Sequence, residues 1–317
     1  MRCVVTGCAG FIGSTLTDRL LEQGHDVIGY DNFSTGFPEF LKTAQESPQF
    51  TLIKADLLDK ETLTKSMQKC DIVFHIAANA DIRFGTEHPY KDLEQNTLAT
   101  FNVLESMREN NIKRIIFSST SAIYGEASVF PTPEDVAIPS QTSLYGASKL
   151  AAEGLIQAYC EGFGFQTLIF RFASILGERY THGHVFDFCK QLVNNPEKLH
   201  ILGNGKQRKS YLHVQDCVDA ILLATKKMNN KMSIFNLGSD TYFEVNNSVN
   251  WICERLNIQP NLSYSGGERG WVGDNPFIFL DCSRMRALGW QPKYSIQESI
   301  IKTVDFLQEN KWLLTRR

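Results

Sequence analysis

The chain has 317 residues, of which 43% are hydrophobic, and its formal net charge is −3. This length predicts a large core and two domains, and the charge, without any basic run, argues against nucleic acid or an anionic membrane as a partner. With neither a leader-like segment nor an apolar stretch of about 18 residues, the sequence predicts a cytoplasmic protein that does not cross a membrane.

The eight cysteines form no Cys-x-x-Cys pair, and most of them lie within apolar stretches. This distribution is typical of reduced, buried thiols in a cytoplasmic protein. We therefore expect neither a disulfide framework nor a cysteine-based zinc site.

The first predicted strand and helix enclose a glycine-rich turn. Residues 3–5 are apolar but too few for a helix, so they predict a buried strand, and residues 11–21 predict the following helix. The spacing of the glycines, Gly-x-x-Gly-x-x-Gly, departs from the usual dinucleotide motif Gly-x-Gly-x-x-Gly. Glycines at this spacing would still permit a tight turn, close approach of the backbone to a pyrophosphate and close packing of the helix on the strand. The start of the helix also offers free amide groups to the phosphates. The predicted phosphate-binding residues are Gly7, Gly10, Phe11, Ile12 and Gly13.

The second predicted strand, residues 27–30, ends at Asp31, which lies 18 residues beyond Gly13. An acidic side chain at such a strand tip accepts hydrogen bonds from ribose hydroxyls, and its charge repels a 2′-phosphate. The sequence therefore favours NAD over NADP. A plain strand-end turn, helped by Asn32, is the alternative interpretation.

Strand and helix patterns alternate through the first half of the chain. Residues 51–54, 71–78 and 113–117 predict further strands, and residues 89–110 predict a long helix. This alternation predicts an α/β fold, with a Rossmann-type doubly wound parallel sheet and helices on both faces. Ligands bind at the carboxyl ends of the strands in such a sheet. Asp56 and the small residues Ala77 and Ala78 lie there, where a cofactor can approach the backbone.

Hydroxyl side chains at residues 118–121 follow the fifth predicted strand, and a helix predicted from residue 143 to about residue 163 carries Tyr145 and Lys149 on one face. A phenol with the ordinary pKa of about 10 is a poor base near neutrality. A neighbouring ammonium, together with a nicotinamide's positive charge, favours the phenolate. The pattern predicts Tyr145 as a general base and Thr120 as the residue that orients a substrate hydroxyl. Turn-type hydroxyls and a chance Tyr–Lys pair are the alternative.

In this combination, the motifs resemble those of the extended short-chain dehydrogenase/reductases that act on nucleotide sugars, the UDP-glucose 4-epimerase-like NAD-dependent epimerase/dehydratase family. The resemblance rests on residues 6–13 (Thr-Gly-Cys-Ala-Gly-Phe-Ile-Gly), 75–78 (His-Ile-Ala-Ala), 118–125 (Ser-Ser-Thr-Ser-Ala-Ile-Tyr-Gly) and 145–149 (Tyr-Gly-Ala-Ser-Lys). It extends over nearly the whole chain, through residues 202–205, 209–216 and 288–292.

The resemblance implies that NAD lies along the carboxyl edge of the sheet. Gly7, Gly10 and Gly13 would cradle its pyrophosphate, Asp31 would bind the ribose and Asp56 the adenine. Further cofactor contacts are implied for Phe11, Ile12, Asn32, Leu57, Ala77, Ala78, Asn96, Tyr145 and Lys149.

The same resemblance implies a reaction in which Tyr145 is the general base, Lys149 holds the nicotinamide ribose and lowers the pKa of Tyr145, and Thr120 binds the sugar hydroxyl. Hydride would pass from C4 of the sugar to the nicotinamide and leave a 4-keto sugar. An epimerase returns the hydride to the other face, whereas a 4-dehydrogenase releases or stores the keto product. A dinucleotide-binding regulator without turnover is the third alternative, although binding alone requires no tyrosine base.

Ser121 and Ala122 occupy positions at which related 4,6-dehydratases and decarboxylases carry acidic residues. Neither side chain can serve as an acid or base for elimination. The sequence therefore makes dehydratase activity the least expected of the family's reactions and favours an epimerase, with a 4-dehydrogenase as the alternative.

Substrate contacts are predicted for Ser174, Arg208, Lys209 and Arg269. Ser174 stands where the family usually has asparagine, and Lys209 where arginine is common, so Arg208 is expected to compensate in binding the diphosphate. Solvated surface charge is the alternative for the three cations. His182 and His184 supply two imidazoles without a third suitably spaced ligand, so the sequence predicts no metal site.

These segments predict a NAD-binding domain at residues 1–173 plus 206–240 and a nucleotide-sugar-binding domain at residues 174–205 plus 241–317. The resemblance also implies a homodimer formed through the helices that contain Asn96 and Tyr145.

Overall fold

The computed structural model describes residues 1–271 and 273–316, and a seven-stranded parallel sheet forms its centre. The strands, in chain order, are β1 Arg2–Thr6, β2 Asp26–Asp31, β3 Phe50–Lys54, β4 Ile72–His75, β5 Arg114–Thr120, β6 Gln166–Phe172, β7 Ser174–Leu176, β8 Lys198–Ile201, β9 Arg208–Lys209, β10 Tyr211–His213, β11 Met232–Leu237, β12 Phe243–Glu244, β13 Asn261–Tyr264 and β14 Phe277–Ile278.

The α-helices are α1 Phe11–Glu22, α2 Lys42–Gln45, α3 Lys60–Ser66, α4 Ile82–Glu87, α5 Pro89–Asp92, α6 Ala99–Glu109, α7 Leu144–Phe163, α8 His184–Asn194, α9 Val214–Lys226, α10 Val245–Leu256, α11 Ser283–Ala287, α12 Ile296–Glu309 and α13 Trp312–Arg316. Short 3₁₀ turns cover Pro38–Leu41 and Ser121–Tyr124, and a π-helical turn covers Leu93–Leu98. None of these helices combines the length and apolar character needed to span a bilayer.

The strand order of the central sheet is β11-β6-β5-β4-β1-β2-β3, with every neighbouring pair parallel. The chain moves outward from β1 to β3 and then returns to add β4 on the other side of β1. The predicted doubly wound fold is therefore confirmed, and its crevice lies where the winding reverses, between β1 and β4.

Alternate residues of β1 face different layers, as expected for a strand. Cys3 and Val5 belong to a core shared with α1 and α9, and Val4 belongs to a second core shared with α3, α6 and α7. The first core continues into α8, α10 and α12. The sheet and the smaller lobe consequently share buried apolar contacts.

The smaller lobe contains three small sheets, β7 with β10, β8 with β13, and β9 between β12 and β14. After β10 the chain rejoins the central sheet, where β11 pairs with β6. Within the segment predicted to return to the sheet, residues 206–240, β11 does so, whereas β9 and β10 pair inside the smaller lobe. The domain boundaries remain a prediction.

Two predicted elements differ from those of the structure. The predicted strand at residues 71–78 ends at His75, and the following residues form a loop. The predicted helix over residues 89–110 is formed by α5, the π turn and α6 in succession. The eight cysteines are free thiols.

Candidate active site

The loop between β1 and α1 is shaped by its glycines. Gly7 has a φ of +71°, and a Cβ atom built on Gly13 would lie 2.0 Å from the carbonyl oxygen of Gly7. A side chain at residue 13 would therefore force the loop open. No side chain caps the first turn of α1, so its amide groups and positive dipole end are available to an anion.

A cleft of about 570 Å³ opens over this loop at the carboxyl edge of the sheet. Its glycine-lined floor and the helix start fit the pyrophosphate of a dinucleotide. Ten of the predicted cofactor residues line the cleft: Gly7, Gly10, Phe11, Ile12, Gly13, Asp31, Asn32, Leu57, Ala77 and Ala78. Asp56, Asn96, Tyr145 and Lys149 are not among its lining residues.

Asp31 at the end of β2 is buried against the glycine loop. Its carboxylate accepts hydrogen bonds from the amides of Ala9 at 2.9 Å and Phe33 at 2.8 Å. Burial raises its pKa, while these two amide bonds lower it. Each oxygen holds one amide, which leaves lone pairs available to ribose hydroxyls.

Asp56 lies beside Asn32 of the cleft lining, whose side chain donates to its carboxylate at 2.7 Å. The other oxygen of Asp56 accepts the amide of Leu58 at 2.9 Å. These bonds fix the β3–α3 turn, from which Leu57 reaches the cleft. The adenine contact of Asp56 remains a prediction.

Thr120 and Tyr145 meet where β5 passes into its 3₁₀ turn. Thr120 ends β5, and its side chain accepts the amide of Ala122 at 3.1 Å. Helix α7 begins after Ser143, whose hydroxyl caps the amide of Gly146 at 3.0 Å. A Cβ atom on Gly146 would lie 2.8 Å from the carbonyl oxygen of Ala122, so glycine permits α7 to pack directly on this turn. The packing places Tyr145 within hydrogen-bonding reach of Thr120.

Burial dominates the acid–base character of the pair. Burial raises the pKa of Tyr145 to about 12, and the charge of Asp92 acts in the same direction. The hydrogen bond with Thr120 lowers this pKa, but by less. Burial lowers the pKa of Lys149 to about 7, against a raising by Glu153. The sequence-based expectation is that the Lys149 ammonium and a nicotinamide charge together favour the phenolate, and burial opposes the charged form of both side chains. The lowered pKa of Tyr145 remains a prediction.

Asn96 connects α7 to the cleft. In the π turn it is 1% exposed, and its side-chain oxygen accepts the amide of Asn79 at 2.8 Å. Its amide nitrogen donates to Ser148 at 2.9 Å, to the carbonyl of Asn79 at 3.2 Å and to Asp92 at 3.3 Å. Asn79 lines the cleft. These contacts make Asn96 a positioning residue for the 76–81 loop, and a direct cofactor contact remains a prediction.

The predicted substrate residues are not all brought together. Lys209 is buried, and its ammonium pairs with Asp274 at 2.6 Å and contacts the carbonyl oxygen of Asn275. Arg208, the preceding residue of β9, points to the other face and stacks over Phe277 at 4.1 Å. Because neighbouring residues of a strand face opposite ways, these two cations do not converge on one ligand.

Ser174 and Arg269 lie elsewhere on the smaller lobe. Ser174 is half-buried at the start of β7, and exposed Arg269 pairs with Glu126. His184 uses both ring nitrogens within the protein, with Ser248 at 2.8 Å and the hydroxyl of Tyr211 at 3.1 Å.

Two charged residues that line the cleft were not predicted as site residues from the sequence. Arg83 in α4 and Asp187 in α8 form an ion pair at 3.1 Å, which joins the sheet lobe to the smaller lobe. Both lie on short or amphipathic helices without a motif. Their proximity depends on tertiary packing, which residue spacing does not encode.

Comparisons with known proteins agree with this arrangement. The profile of the NAD dependent epimerase/dehydratase family matches residues 3–238. A putative UDP-glucose 4-epimerase of Methanocaldococcus jannaschii is 32% identical over 313 residues, covering 97% of this chain and 98% of that protein.

Two solved structures extend the similarity to the fold. A UDP-galactose 4-epimerase is 36% identical with a TM-score of 0.88, covering 98% of this chain and 100% of that one. The UDP-glucuronic acid 4-epimerase of Bacillus cereus, in complex with UDP-glucuronic acid and NAD, is 25% identical with a TM-score of 0.89 and covers the same shares.

Proposed function

The chain belongs to the NAD dependent epimerase/dehydratase family, and from that premise we propose that it is a UDP-sugar 4-epimerase that acts through a 4-keto sugar. Its cofactor is NAD, which supplies a hydride acceptor and donor when bound. The observation that carries the proposal is the hydrogen bond between Thr120 and Tyr145, one helical turn from Lys149 on α7. Asn96 links this helix to Asn79 in the lining of the glycine-loop cleft.

The proposed catalytic step begins with the C4 hydroxyl of the sugar. Thr120 orients this hydroxyl by a hydrogen bond, and Tyr145, as phenolate, accepts its proton. Lys149 stabilises the phenolate because an ammonium one turn away favours the charged form of a phenol. Tyr145 then returns the proton to the C4 oxygen as the epimer forms.

Substrate recognition is proposed for the smaller lobe. Lys209 and Asp274 form a buried ion pair, and a diphosphate that reached Lys209 would join or replace Asp274 as its partner. Ser174 and Arg269 complete the proposed substrate residues, whereas Arg208 faces the opposite side of β9. The two similar structures are of epimerases named for different sugars, UDP-galactose and UDP-glucuronic acid, and the proposal covers the UDP-sugar class.

We test the function by incubating the purified protein with UDP-glucose, UDP-galactose, UDP-glucuronic acid and GDP-sugars in turn. We expect NMR spectroscopy to detect a C4 epimer of at least one UDP-sugar without net accumulation of NADH. Tyr145→Phe should slow turnover by about two to four orders of magnitude, since it removes the general base. Stoichiometric NADH without an epimer would instead indicate a 4-dehydrogenase, and a 4-keto-6-deoxy product would indicate a dehydratase despite Ser121 and Ala122.

We also propose that the protein forms a homodimer through α6 and α7. On α7, the exposed residues Leu144, Ala151, Gly154 and Ala158 recur on one helical face and are mostly small. At the end of the adjoining π turn Leu98 is 40% exposed, and on α6 Phe101 is 42% exposed. A second copy packed against this face would remove the apolar surface from water.

A further inference from the structure

A buried ion pair lies one helical turn beyond Lys149. Glu153 in α7 is fully buried, and Arg171 in β6 is 4% exposed. The Arg171 guanidinium donates to both carboxylate oxygens, at 3.1 Å from Nε and 2.8 Å from Nη2. The hydroxyl of Ser119 donates a further bond of 2.5 Å. Such bidentate, charge-assisted hydrogen bonds fix the position of the Glu153 side chain.

The pair is fixed from three other directions. Arg171 also donates to the hydroxyl of Tyr124 at 2.9 Å and to the carbonyl oxygen of Glu134 at 2.8 Å. The Tyr124 hydroxyl donates to Asn236 of β11 at 2.8 Å. Because every partner is buried, the side chain of Glu153 cannot move away from Arg171 without leaving a buried charge unpaired.

We propose that Glu153 is a positioning residue for catalysis, whose buried carboxylate holds Lys149 as an ammonium and so sets how often Tyr145 is a phenolate. This inference rests on the proposed function of Thr120, Tyr145 and Lys149. Residues four apart on a helix face one another, which places Glu153 on the side of Lys149 away from Tyr145.

The surroundings of Lys149 leave this role to Glu153. Its own helix presents Tyr145 and Glu153, β4 presents His75, and β5 presents the ring of Phe117, 4.1 Å from the lysine nitrogen. Burial, with Lys149 as second cause, lowers the pKa of His75 to about 3, so this imidazole is neutral. Beyond Glu153, β6 presents the Arg171 guanidinium, whose charge disfavours the ammonium. Of these groups, Glu153 is the one whose charge favours it.

Lys149 and Tyr145 share one proton over a wide pH range. Between the Lys149 pKa of about 7 and the Tyr145 pKa of about 12, the pair is either phenol with amine or phenolate with ammonium. The ratio of these forms depends on the difference between the two pKa values and not on pH. A lower Lys149 pKa therefore reduces the reactive form by the same factor across this range.

The decisive variant is Glu153→Gln, which removes the charge and keeps the shape. We expect the pKa of Lys149 to fall by about one unit. The single-turnover rate of NADH formation should then be about tenfold lower than in the unsubstituted protein above about pH 8. Below about pH 5, where Lys149 is protonated in both proteins, the two rates should converge. Glu161→Gln is the matched control, since Glu161 lies on the same helix, exposed and paired with Lys231, and should leave the rate unchanged at every pH.

A merely structural role would lower the rate by a factor that does not change with pH, and that result would overturn the proposal. If Glu153→Gln does not fold because Arg171 loses its partner, the double variant Glu153→Gln with Arg171→Gln leaves no unpaired ion. Its rate ratio should vary with pH in the same direction but by a smaller factor, because losing the Arg171 charge raises the pKa of Lys149 and offsets part of the loss of Glu153. A ratio that does not vary with pH contradicts the inference for this variant also.

A measurement without turnover separates this inference from the proposed catalysis. Lys149→Met removes the titrating group. The difference in free energy of unfolding between the unsubstituted protein and this variant, measured as a function of pH, therefore reports the ionisation of Lys149. Because burial lowers the pKa of Lys149 from 10.5, its contribution to stability should rise with pH from about 7 upward. In the Glu153→Gln background the rise should begin about one unit lower. An unshifted rise refutes the coupling, whereas a shifted rise in a protein without epimerase activity refutes only the proposed function.

Discussion

Gly13 shows at the scale of one residue how an absent side chain shapes the cofactor cleft. Gly13→Ala would place a methyl group 2.0 Å from the carbonyl oxygen of Gly7. We expect the loop to shift, with a loss of about 1–3 kcal/mol in free energy of unfolding and at least a tenfold weaker affinity for NAD. Chemical denaturation and calorimetric titration of NAD-free protein measure the two effects.

The control for Gly13→Ala is Gly162→Ala on α7, where a Cβ atom has nothing within 4 Å. Alanine in an exposed helix position should stabilise the protein by about 0.5–1 kcal/mol and leave NAD binding unchanged. Unaltered NAD affinity in the Gly13→Ala variant would mean that the loop does not form the pyrophosphate site.

Single residues were predictable where a motif ties them to a strand end, and not where tertiary packing decides. Asp31 was identified because it ends β2, and it lines the cleft. Arg208 and Lys209 were expected to act together, but the alternation of β9 separates them. Glu153 was missed, since its burial depends on its pairing with Arg171 of β6, which is distant in sequence.

At the scale of elements, the π turn at Leu93–Leu98 is the feature that fastens the 76–81 loop to α7. Asn96→Ala would leave the amide of Asn79 without its acceptor and remove the bond to Ser148. We expect about 1–3 kcal/mol of lost stability from the unsatisfied buried groups, together with weaker NAD binding, because Ala77 and Ala78 lie in that loop. Thermal unfolding and NAD titration test both parts.

Asn110→Ala provides the comparison, since Asn110 donates to two backbone carbonyls at the end of α6, those of Thr64 and Ser106. It should lose stability without losing NAD affinity. Equal NAD affinity in the Asn96 and Asn110 variants would show that the π turn supports the fold alone.

The types of the elements were predictable from periodicity, but two of their ends were not. The strand predicted for residues 71–78 stops at His75, whose ring nitrogens form hydrogen bonds with the hydroxyls of Thr6 and Thr100 at 2.8 and 2.9 Å. The following residues form the loop that Asn96 holds through the amide of Asn79. The π turn inside residues 89–110 has no signature in apolar spacing, since one extra residue per turn leaves the pattern on both sides intact.

For the whole molecule, the doubly wound topology followed from the alternation of strands and helices, whereas the smaller lobe did not follow from any pattern. Its strands, β7 to β10 and β12 to β14, have two to four residues each. Such short segments pair by tertiary proximity and carry little periodicity of their own. The sheet rather than the lobe therefore supplies the predictable part of the site.

The exposed face of α6 and α7 leads to a prediction about assembly. Phe101→Arg places a charge at a position that is 42% exposed in the single chain, so it should cost the monomer little. Within the proposed dimer the guanidinium would be buried without a partner, which favours dissociation by several kcal/mol. Sedimentation velocity should show a dimer for the unsubstituted protein and a monomer for this variant. Val193→Arg on α8, also 42% exposed, is the matched control and should remain dimeric. If Phe101→Arg sediments as the unsubstituted dimer does, the interface lies on another face.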